Sequence, residues 1–130
     1  MLLRQLDYLY TPSRDVAADT RFLTDVLGGE LEFAIEAMGT RVALVRLTYG
    51  PPAIVLADHL EGDRPILVYR VDDLDAAERE LRHRGWEPGR ELEIPQGPVR
   101  SFSGPGGHRL AVYELTRPGV VEGFKGRRDF

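Results

Sequence analysis

Hydrophobic and polar positions along the chain fall into two successive runs of the same kind. Leu6 to Thr11 alternates and is rich in aromatics, which predicts a strand, and the following TPSRD supplies turn and helix-start chemistry with Ser13 or Asp15 as the N-cap. From Val16 the apolar positions Leu23, Val26 and Leu27 recur near helical period, and Gly28-Gly29 ends the helix. Glu30 to Glu36, Arg41 to Tyr49 and Ala53 to Ala57 then read as three strands separated by Met38-Gly39 and Gly50-Pro51-Pro52. The second run begins with the β-branched stretch Ile66 to Val71. Asp72 or Asp73 caps a helix that places Leu74, Ala77 and Leu81 on one face, and Gly85 stops it. Strands follow at Glu91 to Ile94, Val99 to Ser103 and Arg109 to Leu115.

Each run therefore reads βαβββ. Identities at one fixed offset support a duplication: Asp15 with Asp73, Ala18 with Ala76, Arg21 with Arg79, Leu23 with Leu81 and Gly39 with Gly97. The expected organisation is one α+β domain over residues 1–130, with modules at about 1–60 and 64–116 and a tail at 117–130.

Composition narrows the function classes. A chain of 130 residues with 42% apolar content can bury a core without disulfides, and it has no cysteine to make them. The net charge of -4 and the interleaving of Arg79, Arg82 and Arg84 with Glu78 and Glu80 describe a solvated helix face, so nucleic acid is not an expected partner. No apolar run approaches the ~18 residues of a membrane span, and no signal-peptide core opens the sequence, which makes a cytoplasmic location the expectation.

Most chemical motifs fail on spacing. His59, His83 and His108 match no metal-binding pattern, SGPGG lacks the Lys-Ser/Thr and the helix of a phosphate loop, and Ser101 and Ser103 sit at no nucleophile elbow. Asp72, Asp73 and Asp75 cluster where a helix N-terminus attracts carboxylates.

The stretch DVAADTRFLTDVLGG resembles the helix-ending FY-x-D-x-LG signature of the vicinal oxygen chelate superfamily, which includes glyoxalase I, bleomycin-resistance proteins and extradiol dioxygenases; Leu23 replaces the tyrosine. VDDLDAAERELRHRG resembles the second helix of that family, and SGPGGHRLAVYE its closing DPDG-x-x-x-x-L hairpin, with Gly104 and Gly106 replacing the aspartates. The resemblance implies two βαβββ modules forming a curled mixed sheet around a cavity. It also implies four metal-ligand positions, occupied here by Tyr8, Val55, Ile66 and Ala111; a register shifted by one residue would offer Asp7. Three of these four side chains have no donor atom, so no metal cofactor is expected.

Strand alternation extends the candidate cavity lining to Tyr10, Val68 and Tyr113, with Arg46, Arg100 and Phe102 added from middle strands. For the arginines, an exposed strand face or a salt bridge to glutamate is the alternative. The first expectation is a metal-free protein that binds an aromatic or amphipathic small molecule. The second is a glyoxalase- or dioxygenase-like enzyme with non-standard catalytic residues. The third is a dimeric interaction module whose tail packs Val120, Val121 and Phe124 onto a partner, and a homodimer is expected in any case.

Overall fold

In the computed structural model, which describes residues 1–87 and 89–130, the chain runs β1 (Gln5–Pro12), α1 (Val16–Arg21), a π-helical turn (Phe22–Val26), β2 (Glu30–Ala37), β3 (Thr40–Arg46), β4 (Ala53–Ala57), β5 (Ile66–Val71), α2 (Leu74–His83), β6 (Glu91–Ile94), β7 (Gly97–Ser103), β8 (Arg109–Glu114) and α3 (Val120–Phe124). The eight strands form one mixed sheet in the order β2-β3-β4-β1-β5-β8-β7-β6. Each module contributes four adjacent strands, with β1 parallel to β4 and β5 parallel to β8; the modules join where β1 meets β5 antiparallel. This is an α+β fold of two βαβββ modules around a cavity. No described helix is long and apolar enough to cross a membrane.

The two sheet faces bury different residues. On one face α1 sets Val16 against Ala34, Ala43 and Leu56, and α2 sets Leu74 and Ala77 against Val71 and Val112. On the other, Phe33, Leu44, Ala53 and Val55 of the first module stand beside Ile66, Val68, Val99, Ala111 and Tyr113 of the second. Tyr8 and Tyr10 of β1 touch both of these clusters.

Local signals explain the element ends. Asp15 accepts from Ala18 N–H, and Asp73 accepts from Ala76 N–H, each at 3.0 Å. Ser13 and Asp72, the other candidate caps, are engaged elsewhere: Ser13 Oγ donates to Asp19, and Asp72 pairs with Arg4. Gly28 and Gly85 close the two helices at φ +73° and +94°. The first helix departs from regular α geometry. Thr24 Oγ donates back to Thr20 O, and Leu27 N–H reaches Phe22 O, five residues back, so the last turn is wide. That turn leaves Val26 and Leu27 exposed, whereas Leu23 still packs on the α1 cluster. The helical period in the sequence had placed all three together.

The tail follows a path the sequence did not predict. Arg117 donates to Pro95 O (2.7 Å), Ile94 O (2.9 Å) and the Glu93 carboxylate (2.6 Å), fastening the chain to the β6–β7 hairpin. Beyond α3, Gly126 N–H donates to Glu32 O, Ala34 N–H to Arg127 O and Asp129 N–H to Ala34 O, fastening it to β2. Because β6 and β2 are the two edges of the sheet, the tail is a strap drawn from one edge region to the other. Val121 and Phe124 therefore pack in part within their own chain, the Phe124 ring 5.6 Å from that of Phe33, which supplies in cis some of the cover that the sequence led us to expect from a partner.

Glycine requirements differ along this path. A Cβ on Gly97 would overlap Glu114 O, whereas one on Gly123 within α3 would meet nothing within 4 Å. Gly97→Ala is expected to destabilise the fold by about 1–3 kcal/mol, and Gly123→Ala to be neutral or stabilising by up to about 1 kcal/mol. Denaturant melts of the two variants check the contrast.

Candidate functional site

Inside the curl of the sheet lies a cavity of about 700 Å³. Its floor is made by alternate residues of the strands: Tyr8 and Tyr10 of β1, Val42 and Leu44 of β3, Val55 of β4, Ile66 and Val68 of β5, and Ala111 of β8. Phe33 and Ile35 of β2 form one wall, and Val121 and Phe124 of the strap also line it. The polar lining comes mainly from the second module and the loop between the modules. His59, Leu60 and Glu61 stand on that loop, which is held down by Arg109 Nη1 donating to Glu61 O (2.7 Å) and Arg64 O (2.8 Å). Arg90 is fixed through its backbone, Ser101 N–H donating to Arg90 O at 3.0 Å.

Six of the sequence candidates line this cavity: Tyr8, Tyr10, Val55, Ile66, Val68 and Ala111. The other four do not. Arg46 ends β3 with its guanidinium held by Glu32 at 2.9 Å, the salt-bridge alternative. Arg100 and Phe102 alternate with the cavity residues Val99 and Ser101 and so face α2, where Arg100 lies 3.5 Å from Glu78, and Phe102 meets Trp86 edge-on at 4.8 Å. Tyr113 shares its strand face with Ala111 but is fully buried beneath Tyr8, and its hydroxyl donates to Asp7 Oδ2 at 2.5 Å.

That buried pair has a clear electrostatic character. Burial, the hydrogen bond to Asp7 and the nearby Asp7 charge push the Tyr113 phenol far above its ordinary range, although Arg70 opposes the shift. Asp7 also accepts from Gln5 at 2.5 Å, and Arg70 lies 3.7 Å away, so its carboxylate is partnered on several sides. Burial alone raises Tyr10. Burial thus favours the neutral form of the Tyr10 phenol, which can donate a hydrogen bond.

Tyr8, Val55, Ile66 and Ala111, the four positions at which the resemblance implies metal ligands, do converge on the cavity. They bring one phenol and three hydrocarbons, a donor set that does not fit a divalent ion. Among the described residues no group of three or more His, Asp or Glu side chains is placed to hold one elsewhere.

Sequence reasoning missed several lining residues. Alternation on β2 and β3 pairs Phe33 with Ile35 and Val42 with Leu44, but it does not say which face turns inward. His59 matches no metal-binding pattern in the sequence and is exposed, yet it lines the mouth with its ring 6.3 Å from that of Tyr10 and nearly edge-on. Gln96 carried no motif at all. It is 7% exposed, lines the cavity, and its Oε1 is buried without a hydrogen-bond partner, an arrangement that costs roughly 1–3 kcal/mol.

Residues 5–112 match the family model of the Glyoxalase/Bleomycin resistance protein/Dioxygenase superfamily. The chain belongs to that superfamily. None of the curated proteins matches it. Solved structures share the superfamily fold. A methylmalonyl-CoA epimerase from Mycobacterium tuberculosis is 22% identical, with 90% of this chain and 91% of that one covered at a TM-score of 0.74. A Streptomyces coelicolor methylmalonyl-CoA epimerase in complex with 2-nitronate-propionyl-CoA is 15% identical, covering 88% and 96% at 0.72. A hypothetical protein from Bacillus halodurans is 14% identical, covering 85% and 93% at 0.72. At these identities the likeness is one of fold.

Two outcomes follow from the site. Elemental analysis of the purified protein is expected to find no stoichiometric divalent metal, since one tightly held ion per chain would require donors that the superfamily positions lack here. The second concerns alkaline pH. A phenol whose folded pKa is raised contributes stability that is complete below the unfolded value of about 10 and is lost as pH rises beyond it. Ultraviolet titration of the native protein is therefore expected to reveal fewer than all five tyrosines up to the alkaline unfolding transition, and Tyr113→Phe to remove one of the late-titrating groups.

Proposed function

We propose that the cavity is the working site and that it takes an amphipathic small molecule, apolar body against the sheet and polar end toward the mouth. The observation that carries this reading is the distribution of its lining: tyrosines and aliphatic side chains on the floor, with His59, Glu61, Arg90 and Arg109 supplied by loops and strand ends. A mostly apolar pocket with a few convergent polar groups is the usual form of such a site.

Of the two chemistries that could use it, the comparisons favour an enzyme over simple sequestration, because the solved chains that share the fold across most of their length include methylmalonyl-CoA epimerases. We take the enzyme reading as the conclusion. Epimerisation next to a carbonyl requires a base that removes the α-proton, an acid that returns a proton to the opposite face, and a group that stabilises the enolate oxygen. In this chain the mouth offers His59 and Glu61 as the two proton-exchanging side chains, and the phenol of Tyr10 beside His59 is suited to donate to the oxygen. Sequestration remains the second reading, favoured by the hydrocarbon side chains at the ligand positions. The packing of Val121 and Phe124 in cis weakens the motive for reading the chain chiefly as an interaction module.

The test is deuterium exchange. Carbonyl compounds bearing an acidic α-proton, thioesters among them, are incubated with the protein in deuterium oxide and followed by proton NMR. Catalysed loss of an α-proton signal, abolished in His59→Ala with the fold intact, is the expected result. Saturable binding with no exchange of any compound would overturn the enzyme reading in favour of sequestration.

A further inference from the structure

The two modules match in strand order, yet they furnish unlike halves of the cavity. Every lining residue of β1 to β4 is aliphatic or aromatic, whereas His59, Glu61, Arg90, Glu93 and Arg109 all belong to the loop between the modules or to the second module. The strap sharpens this contrast. It lays Val121 and Phe124 against the Phe33, Leu44 and Val55 cluster of the first half, and not against the Ile66 and Val68 cluster of the second. The Phe124 ring lies 5.6 Å from that of Phe33, tilted by 58°. Neither strap side chain is core: α3 contains no fully buried residue, and both stand half-buried where they line the cavity. Hydrogen bonds fasten α3 to the sheet through its flanks, at Arg117 and at residues 126–129. The side chain at 124 is therefore the part of the cavity wall whose size can change without altering the strands of the floor.

We propose that Phe124 is a specificity-determining residue: the apolar end of the ligand is seated between β2 and α3, and the Phe124 ring sets how long that end can be. The assignment rests on the reading of the cavity as the ligand site, and it narrows the ligand class to molecules polar at one end only, with an apolar chain or ring of limited length. A charged group at the far end would lose its hydration in the first half of the cavity without meeting a charged partner there. Apolar burial adds a similar increment of affinity with each methylene. Affinity should therefore climb with chain length until the end of the ligand meets the ring, and stop climbing there because further length overpacks the site.

A homologous series of 2-alkanones, from 2-hexanone to 2-dodecanone, tests this, since its members share one polar end and differ only in chain length. Binding is measured by ligand-observed NMR on the wild type, on Phe124→Leu and on Phe124→Ala, with the melting temperature of each protein recorded. In the wild type the affinity is expected to rise about four-fold per methylene up to a limiting length and then to level or fall. The limit should move outward by about one carbon in Phe124→Leu and by about two or more in Phe124→Ala, as the space left by the ring grows. The terminal methyl of the longest tight binder should show a nuclear Overhauser contact to the Phe124 ring. Phe124→Leu keeps an apolar side chain against Phe33, so it reports the shift even where the alanine variant loosens the strap. A limit common to all three proteins, no limit in the wild type, or a terminal methyl beside His59 instead of Phe124 would overturn the role of Phe124 alone. Failure of every 2-alkanone to bind the wild type would instead overturn the cavity reading on which it rests.

Discussion

Where β1 meets β5 the pairing slips by one residue, and much of the site depends on that slip. Leu6 stands opposite Tyr69 and Tyr8 opposite Val68, so Asp7 is the extra residue of a bulge. Strict alternation would send Asp7 to the face opposite Tyr8. The bulge lets its carboxylate reach the Tyr113 hydroxyl instead, and Tyr113 in turn packs its ring 6.0 Å from that of Tyr8. A buried carboxylate without partners would be costly. Here Gln5, Tyr113 and Arg70 surround it, so the seam between the modules is tied by a polar cluster that also supports the cavity floor. A second bulge repeats the device in β2, where Glu32 is the extra residue and Arg46 its partner.

The strap solves a different problem. An eight-stranded curl has two edges and an open side, and a half-open apolar cup would expose its walls. Arg117 pins the chain to the hairpin at one edge, three backbone hydrogen bonds pin it to β2 at the other, and Phe130 packs on the α1 cluster with Arg41 4.7 Å above its ring. Asp129 strengthens the far anchor: its carboxylate accepts from Arg127 and from Glu36 N–H, both of which hold it below the ordinary carboxylate range. Between these anchors the strap sets Val121 and Phe124 against the cavity.

The fold was legible because its signals are local and repeated. Asp15 and Asp73 cap equivalent helices, Gly28 and Gly85 end them, and the β-branched run Ile66 to Val71 has no competing period, so strand β5 falls where the sequence places it. The site was legible where the resemblance set the inward face, at Tyr8, Val55, Ile66 and Ala111, and where parity extended it along the same strand. Tyr8 with Tyr10 and Ile66 with Val68 follow from alternation, whereas β7 offers two faces of mixed character. There Phe102 is needed as an apolar contact for Trp86 beside α2, a tertiary demand that no strand pattern carries. Arg100 goes with it by parity and finds Glu78. Val121 and Phe124 were recognised as apolar residues in need of cover, but what covers them is set by where Arg117 and the final residues fasten, contacts that span many positions in sequence.

Replacing metal donors by hydrocarbons changes where affinity and selectivity in such a cup must come from. Coordination fixes a ligand's position through short directional bonds, while apolar burial does not. Hiding about 200 Å² of apolar ligand surface yields about 5 kcal/mol at roughly 25 cal/mol per Å², a quantity similar to the lower estimates, about 4 kcal/mol and upward, of what association costs in lost freedom. Tyr8, Val55, Ile66 and Ala111 can therefore hold an apolar body only loosely and in several orientations. Tight and oriented binding has to come from the few polar atoms the cavity contains, and their environments divide the work. Those at the mouth are solvated and gain little from a new partner. The phenol of Tyr10, half-buried between the exposed His59 and the apolar floor, is partly desolvated and gains more from a hydrogen bond.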